Sequence, residues 1–279
     1  IYWSGLRRFS ILTHDTDLSH LGMFDEVPDG ATELAERTIG DWDPGLPEPP
    51  EGFPREMPSG FTLSAEEARW LAGRIMVSTD GTALAYLLER GHEIPEDVAA
   101  PWDFIPPGDF EELRHARLFS VVMHGAALLY NLLVAERYEA HPEFTRIEQP
   151  VAHFRKALRD WHRNDVRPHK RDLDSWDVKR VWALLNTQGL NPSPHTRTFV
   201  NAWISAVRDG RAAGAADVDQ LRTLIRKREM RKGAQSRLTN EKLLGMWSGG
   251  SGVGALTYRW GTTREIVNDI VRGLSNASA

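Results

Sequence analysis

The stretch from Ala116 to Ala135 constrains this chain more than any other. It is about the length of a bilayer span, and from Ala126 it runs Ala-Ala-Leu-Leu-Tyr-Asn-Leu-Leu-Val-Ala. Arg117, Ser120, His124, Tyr130 and Asn131 interrupt it, and polar or charged groups at mid-membrane depth are costly. It therefore reads as a buried helix of a cytoplasmic protein with no membrane partner. A helix apolar on nearly every side must be covered on every side. The expected fold is mostly α: a globular multi-helix array around this central hydrophobic helix, preceded by an acidic, proline-rich N-terminal subdomain.

The rest of the chain can supply that cover. Its 279 residues are 41% hydrophobic and 26% charged, an ordinary globular balance. That length accommodates one large domain or two modest ones and buries about three quarters of the unfolded surface. There are no cysteines, which excludes a disulfide framework, a thiolate zinc site, an iron–sulfur cluster and a cysteine nucleophile, and fits a reducing compartment. The opening Ile1-Tyr2-Trp3-Ser4-Gly5-Leu6-Arg7-Arg8 has no basic region followed by an apolar one, so it is not a signal peptide. Without an initiating Met, it reads as preceded by further sequence.

Proline and glycine mark the divisions. Asp41 to Ser59 is saturated with both, which forbids helix or central strand and predicts an extended connector. It ends at Ser64-Ala65-Glu66-Glu67, the spacing of a capping box, followed by Ala68, Leu71 and Ile75 on one helical face. A second helix, Thr82 to Arg90, stops at Gly91. A second proline-bearing stretch, Ile94 to Gly108, is the expected seam, dividing an N-terminal part at 1–107 from a helical array at 108–279. In the array, Phe110–Ala140, Gln149–Arg163, Leu173–Thr187, Thr196–Asp209, Ala216–Lys232 and Thr263–Leu274 repeat apolar residues at three and four. Stops are expected at Pro142, Gly189, Gly210, Gly233 and Gly273.

Charge is divided along the same line. Residues 1–110 hold 7 Lys and Arg against 21 Asp and Glu, a net of −14, and the remainder holds 27 against 18, a net of +9, which together give the −5 of the whole chain. The excess peaks at Arg222, Arg226, Lys227, Arg228, Arg231, Lys232 and Arg237, opposed within that run only by Glu229. Such asymmetry suggests a polyanion-facing region. It fits equally a fold whose halves neutralise each other, or a solvated helix face.

Several constellations could carry chemistry. Arg117, Ser120, His124 and Asn131 fall in one narrow sector of the central helix. If that stripe is buried it must meet polar partners, either as a structural network or as a small-ligand pocket in which a histidine exchanges protons. His14-Asp15-Thr16-Asp17 with His20 groups metal-ligating side chains, but their spacing fits no ligand pattern, and an aspartate here serves better as a cap for the helix of Leu18, Leu21 and Phe24. His153 and His162 are nine residues apart and do not share a face, so no metal site is expected. Asp177-Val178-Lys179 has the acidic-x-lysine form of metal-dependent nucleases, yet it sits inside a helical pattern. Gly249-Gly250-Ser251-Gly252-Val253-Gly254 could cradle a phosphate or form a tight turn, and it lacks the Lys-Ser/Thr of a nucleotide loop. Trp247 precedes it and Tyr258-Arg259-Trp260 follows, so arginines, amides and aromatic rings occur together, as in surfaces on which bases stack.

Motifs spread over nearly the whole chain carry a resemblance. They are Ile1-Tyr2-Trp3-Ser4-Gly5-Leu6-Arg7, Asp43-Pro44-Gly45-Leu46-Pro47, Gly52-Phe53-Pro54, Leu63-Ser64-Ala65-Glu66-Glu67-Ala68, Thr196-Arg197-Thr198-Phe199-Val200-Asn201-Ala202-Trp203, Arg237-Leu238-Thr239-Asn240, Gly249-Gly250-Ser251-Gly252 and Tyr258-Arg259-Trp260. By these the chain resembles an uncharacterised bacterial family, Domain of Unknown Function 6361, whose members look longer at the N-terminus. The resemblance implies no activity, cofactor or catalytic residue.

The leading functional expectation is a nucleic-acid-binding or nucleic-acid-processing accessory protein. It would hold a phosphate backbone through Arg226, Lys227, Arg228, Arg231, Lys232, Arg237 and Arg259, and would need no cofactor. The alternatives are an enzyme with a small-ligand pocket around Arg117, Ser120, His124 and Asn131, or a non-catalytic interaction subunit that docks an unspecified protein through its acidic linker.

Overall fold

The computed structural model describes residues 2–12 (backbone alone at 2–4), 42–49, 52, 55, 60, 62–106, 108–187 and 189–276. Among them are eleven α-helices and no strand, only an isolated bridge between Leu12 and Trp42. The chain forms two compact units, Ile1–Pro106 with Arg259–Ala279, and Pro107–Tyr258. The segment after Tyr258, grouped with the helical array in the sequence, belongs to the unit of the N-terminal part.

In that unit, α1 (Tyr2–Arg8) is followed by α2 (Ala65–Ser78), α3 (Ala83–Arg90) and the closing helix, α11 (Trp260–Ser275). The expected capping box starts α2: Ser64 Oγ accepts from Glu67 N at 3.2 Å, and Glu67 Oε2 accepts from Ser64 N at 2.7 Å. Thr82 caps α3, and Gly91 ends it in the left-handed conformation. Arg74 on α2 ties down the chain before it, donating to Ser10 O (2.7 Å) and pairing with Asp43 (2.9 Å). Gly273 does not stop α11. It lies inside the helix where α2 crosses, and a Cβ there would come within 2.6 Å of Ala68 Cβ and 3.2 Å of Leu63 O. Asn268 fixes the extended segment at Ile94, accepting from its N–H (2.7 Å) and donating to its carbonyl (2.9 Å).

The second unit is built on α4 (Glu111–Glu139), 29 residues long. It is long and apolar enough to cross a membrane, but its most apolar window is 67% buried within the protein, which makes it a core helix. Around it lie α5 (Pro150–Trp161), α6 (Lys170–Ser175), α7 (Val178–Thr187), α8 (Pro194–Arg208), α9 (Asp219–Met230) and α10 (Glu241–Gly245). Phe154, Leu158 and Trp161 form the buried stripe of α5 at i, i+4 and i+7. Two tryptophans dock on the central helix by their ring N–H groups: Trp161 donates to Val121 O and Trp203 to Val122 O, both at 2.8 Å. After Trp161 the helix widens into a π turn, His162–Val166, closed by Arg167 N on His162 O.

The helix expected over Leu173–Thr187 is broken at Trp176 and Asp177. Trp176 turns inward, its ring N–H donating to His115 Nδ1 at 2.7 Å, and Arg208 donates to the carbonyls of Leu173 and Trp176. Asp177 Oδ1 then accepts from Lys179 N at 3.0 Å at the start of α7. The acidic-x-lysine tripeptide is accordingly a helix start, its carboxylate occupied by backbone.

Candidate functional site

Helix α9 carries the basic run. Leu221, Ile225 and Glu229 are its buried residues, spaced as an apolar stripe would be, so a carboxylate occupies a core position. A buried carboxylate needs partners. Glu229 accepts from Arg237 N at 3.0 Å and pairs with Lys232 Nζ at 2.6 Å. The Arg237 side chain also turns inward, donating to the Tyr130 hydroxyl at 3.3 Å. Arg222 forms a two-armed pair with Glu136 and donates to Ala216 O at 2.7 Å. The fold thus engages three of the run's seven cations.

The other four are exposed. Among the described residues, Arg226, Lys227, Arg228 and Arg231 form no ion pair. The Arg228 guanidinium lies 5.6 Å from the centre of the Phe199 ring of α8. Lys227, Arg228 and Arg231 line a shallow groove of about 150 Å³ whose opposite wall, on α8, includes His195, Thr198 and Phe199.

Arg228 also borders a larger cleft, of about 390 Å³, between α4, α8, α9 and the glycine loop. Its floor is apolar: Phe119, Met123, Ala127 and Tyr130 from α4, Phe199 from α8 and Ile225 from α9. Arg228 and Lys232 are the cations at its edge, and Lys232 Nζ lies 5.3 Å from the centre of the Tyr130 ring. Ser251, Gly252, Gly254 and Leu256 form the remaining wall. The loop is held by Asn131, whose Oδ1 accepts from Ser251 N (2.8 Å) and whose Nδ2 donates to Ser251 O (3.0 Å) and Ala127 O (2.9 Å). Left-handed backbone at Gly249 (φ 94°) and Gly252 (φ 58°) lets it turn. The glycine run is therefore a wall of the cleft, pinned from the central helix.

The four polar residues of α4 do not meet in one pocket. They share a stripe, but Arg117 and Asn131 are separated by about 21 Å along the axis, so each level faces a different neighbour. Arg117 is half-buried and Ser120 buried, and Asn131 is committed to the loop. His124 lines the cleft, and it also lines a second cavity of about 340 Å³ with His153, Lys156, Asp160 and Asp165. Its Nδ1 is 3.6 Å from Asp165 Oδ2 on the π turn. Near this cavity two pKa values are displaced. The Lys156 ammonium, bonded at 2.5 Å, holds the Asp160 carboxyl below the usual carboxylate range, and burial, then Arg167, lowers that of His162.

The aromatic residues flanking the glycine loop do not form a stacking surface. Trp247 is 1% exposed and packs on Tyr138 and Phe154. Trp260 is 3% exposed, its ring N–H donating to Val98 O at 2.9 Å. Core packing claims both rings. Tyr258 is half-exposed, its hydroxyl donating to Ala116 O at 3.0 Å. Arg259 is exposed, in the unit that contains α11. The rings that do line a cleft, Phe119, Tyr130 and Phe199, look like ordinary core positions in the sequence. Nothing in their spacing marks them off from the buried residues of α4 and α8. His14, Asp15, Asp17 and His20, with the helix expected after them, lie outside the described residues. Among the described residues no group of three or more His, Asp or Glu could hold a metal ion.

No curated protein and no solved structure matches the chain. A family model matches residues 1–273, well over half of the sequence, and by that match the chain belongs to DUF6361, a family of unknown function.

Proposed function

We propose that this protein binds nucleic acid, holding the sugar–phosphate backbone on the exposed side of α9 through Arg226, Lys227, Arg228 and Arg231, and that it does so in the cytoplasm. The observation that carries the reading is the division of the basic run. Arg222 and Lys232 are matched by Glu136 and Glu229, and Arg237 turns in to Tyr130, while the other four are exposed without a carboxylate partner among the described residues. Four cations within two helical turns attract a polyanion by releasing its condensed counterions. Arg222 and Lys232 contribute less, since carboxylates of the fold already meet their charge, and Arg237 contributes less because its side chain is turned in and partly buried.

The competing reading, a small-ligand enzyme on the central helix, retains only His124 of its four residues as a wall of the cleft.

The test is fluorescence anisotropy of labelled oligonucleotides titrated with the full chain over a series of KCl concentrations. Log K should fall linearly with log salt, each phosphate contact contributing about −0.7 on single strands and −0.9 on duplex, so that replacing all four residues by glutamine flattens the slope by about 2.8 on single strands and about 3.6 on duplex. An affinity that does not change with salt would refute the proposal.

A further inference from the structure

We infer that the cleft between α4, α8, α9 and the glycine loop receives one unpaired base, making the protein a binder of single-stranded rather than duplex nucleic acid; this rests on the backbone-binding reading above. Three observations converge on it.

The first is shape and lining. At about 390 Å³ the cleft is in the size range of small-molecule sites. It offers Phe119, Tyr130 and Phe199 rings together with Met123, and every base has a π face that stacks on such rings whatever its identity. A base still paired and stacked in a duplex does not present that face, and extruding it costs energy.

The second is the position of charge. The two cations at the cleft edge sit against its rings, Arg228 by Phe199 and Lys232 by Tyr130. A base stacked on those rings carries its phosphates outside the cleft, beside Arg228, which has no ion pair among the described residues, whereas Lys232 is held in its pair with Glu229. Glu229 also borders the cleft, but its carboxylate is engaged by Lys232 and by Arg237 N.

The third is continuity. Arg228 belongs both to the cleft and to the groove formed with Lys227 and Arg231, so a strand seated along the groove passes the mouth of the cleft. Asn131 acts as a positioning residue here, because it fixes the loop wall through Ser251.

The experiment compares three labelled probes at one salt concentration: an oligothymidylate, an abasic deoxyribose-phosphate chain of the same length, and a duplex of that length. One stacked base should make the oligothymidylate bind about 5- to 150-fold more tightly than the abasic chain. Ala127→Phe, which fills the cleft from its floor, should remove that preference while leaving abasic binding in place. A strand carrying the fluorescent base 2-aminopurine gives a readout on the unaltered protein, since its emission should be quenched on binding.

Equal affinity for the oligothymidylate and the abasic chain overturns the base site and leaves backbone binding standing, whereas failure of all three probes to bind at low salt overturns both. Retained preference in a folded Ala127→Phe protein, or unquenched 2-aminopurine in a bound strand, also overturns the assignment to this cleft.

Discussion

Replacing Gly125 by alanine should destabilise the 107–258 unit, although helix propensity alone gives the opposite sign, because alanine inside a helix is better than glycine by about 1 kcal/mol. A Cβ at Gly125 would lie 2.2, 2.3 and 2.5 Å from three carbons of the Trp161 ring. Carbon atoms rest at about 3.5 Å or more, so ring and helix must separate by about 1.3 Å. The ring has no room for this: Trp161 is 2% exposed and stacks on Trp203 with centroids 6.4 Å apart. Overpacking of this kind costs about 1–3 kcal/mol. The same movement breaks the 2.8 Å bond from the Trp161 ring N–H to Val121 O, leaving a buried donor unmatched at about another 1–3 kcal/mol. Less the propensity gain, the net loss is about 1–5 kcal/mol, centred near 3, or a fall in Tm of about 6–12 °C for a unit of this size. Thermal and urea unfolding followed by near-ultraviolet circular dichroism reads it. Gly73→Ala is the control, since Gly73 lies exposed in α2 with nothing within 4 Å of its Cβ direction and should gain stability by about 1 kcal/mol. A Gly125→Ala protein as stable as the parent, or more so, would mean that the Trp161 ring gives way to a methyl group without cost.

Two further outcomes follow from named contacts. Asn131→Ala removes both partners of the Ser251 backbone, so hydrogen exchange should accelerate across 249–254 while α5 stays protected; unchanged protection of the Ser251 amide would show that the loop is held by something else. His162 has its pKa lowered from the ordinary 6.5, first by burial and then by Arg167. The unfolded chain therefore takes up the proton first, and the stability contributed by the neutral ring is present above about pH 6.5 and lost as pH falls through the lower folded value. Melting curves between about pH 7.5 and 5 should show this loss, and His162→Gln should shrink it; an equal loss in the variant places its origin elsewhere.

What the sequence disclosed, and what it withheld, divides by the range of the physics involved. The capping box at Ser64, the stop at Gly91 and the burial of the central helix depend on a few neighbouring residues or on hydropathy, and all are as expected. Gly273 reads as a terminator because glycine often ends helices, but its role is fixed by Ala68, more than two hundred residues away in the chain. Trp176 continues an apolar helical pattern, and only the guanidinium of Arg208 and the ring of His115 show why the chain breaks there. Likewise the aromatic rings near the glycine loop gave no sign of which would be consumed by the core, since exposure is decided by neighbours from distant segments.

The fate of the basic run, by contrast, was more legible than its charge count suggests. Turning 100° per residue from Ile225, Leu221 and Glu229 fall within about 40° of the buried centre and Arg222 within about 60°. Arg226, Lys227 and Arg231 lie about 100° or more away, and Arg228 sits on the opposite border at about 60°. The cation of the helix on the core side, Arg222, is partly buried and meets Glu136; Lys232, past the end of the helix and itself exposed, pairs with Glu229; those off the core side are exposed with no ion pair among the described residues. One periodicity therefore buries Leu221 and Ile225 and leaves a cationic flank outward, with Arg228 at the seam between that flank and the apolar cleft. What periodicity could not supply was the other side of the seam: that Phe199 from α8 and the loop held by Asn131 would stand opposite Arg228. A cationic helix flank alone is a solvated surface in most folds; this one differs in bordering, at Arg228, an apolar cleft with aromatic walls.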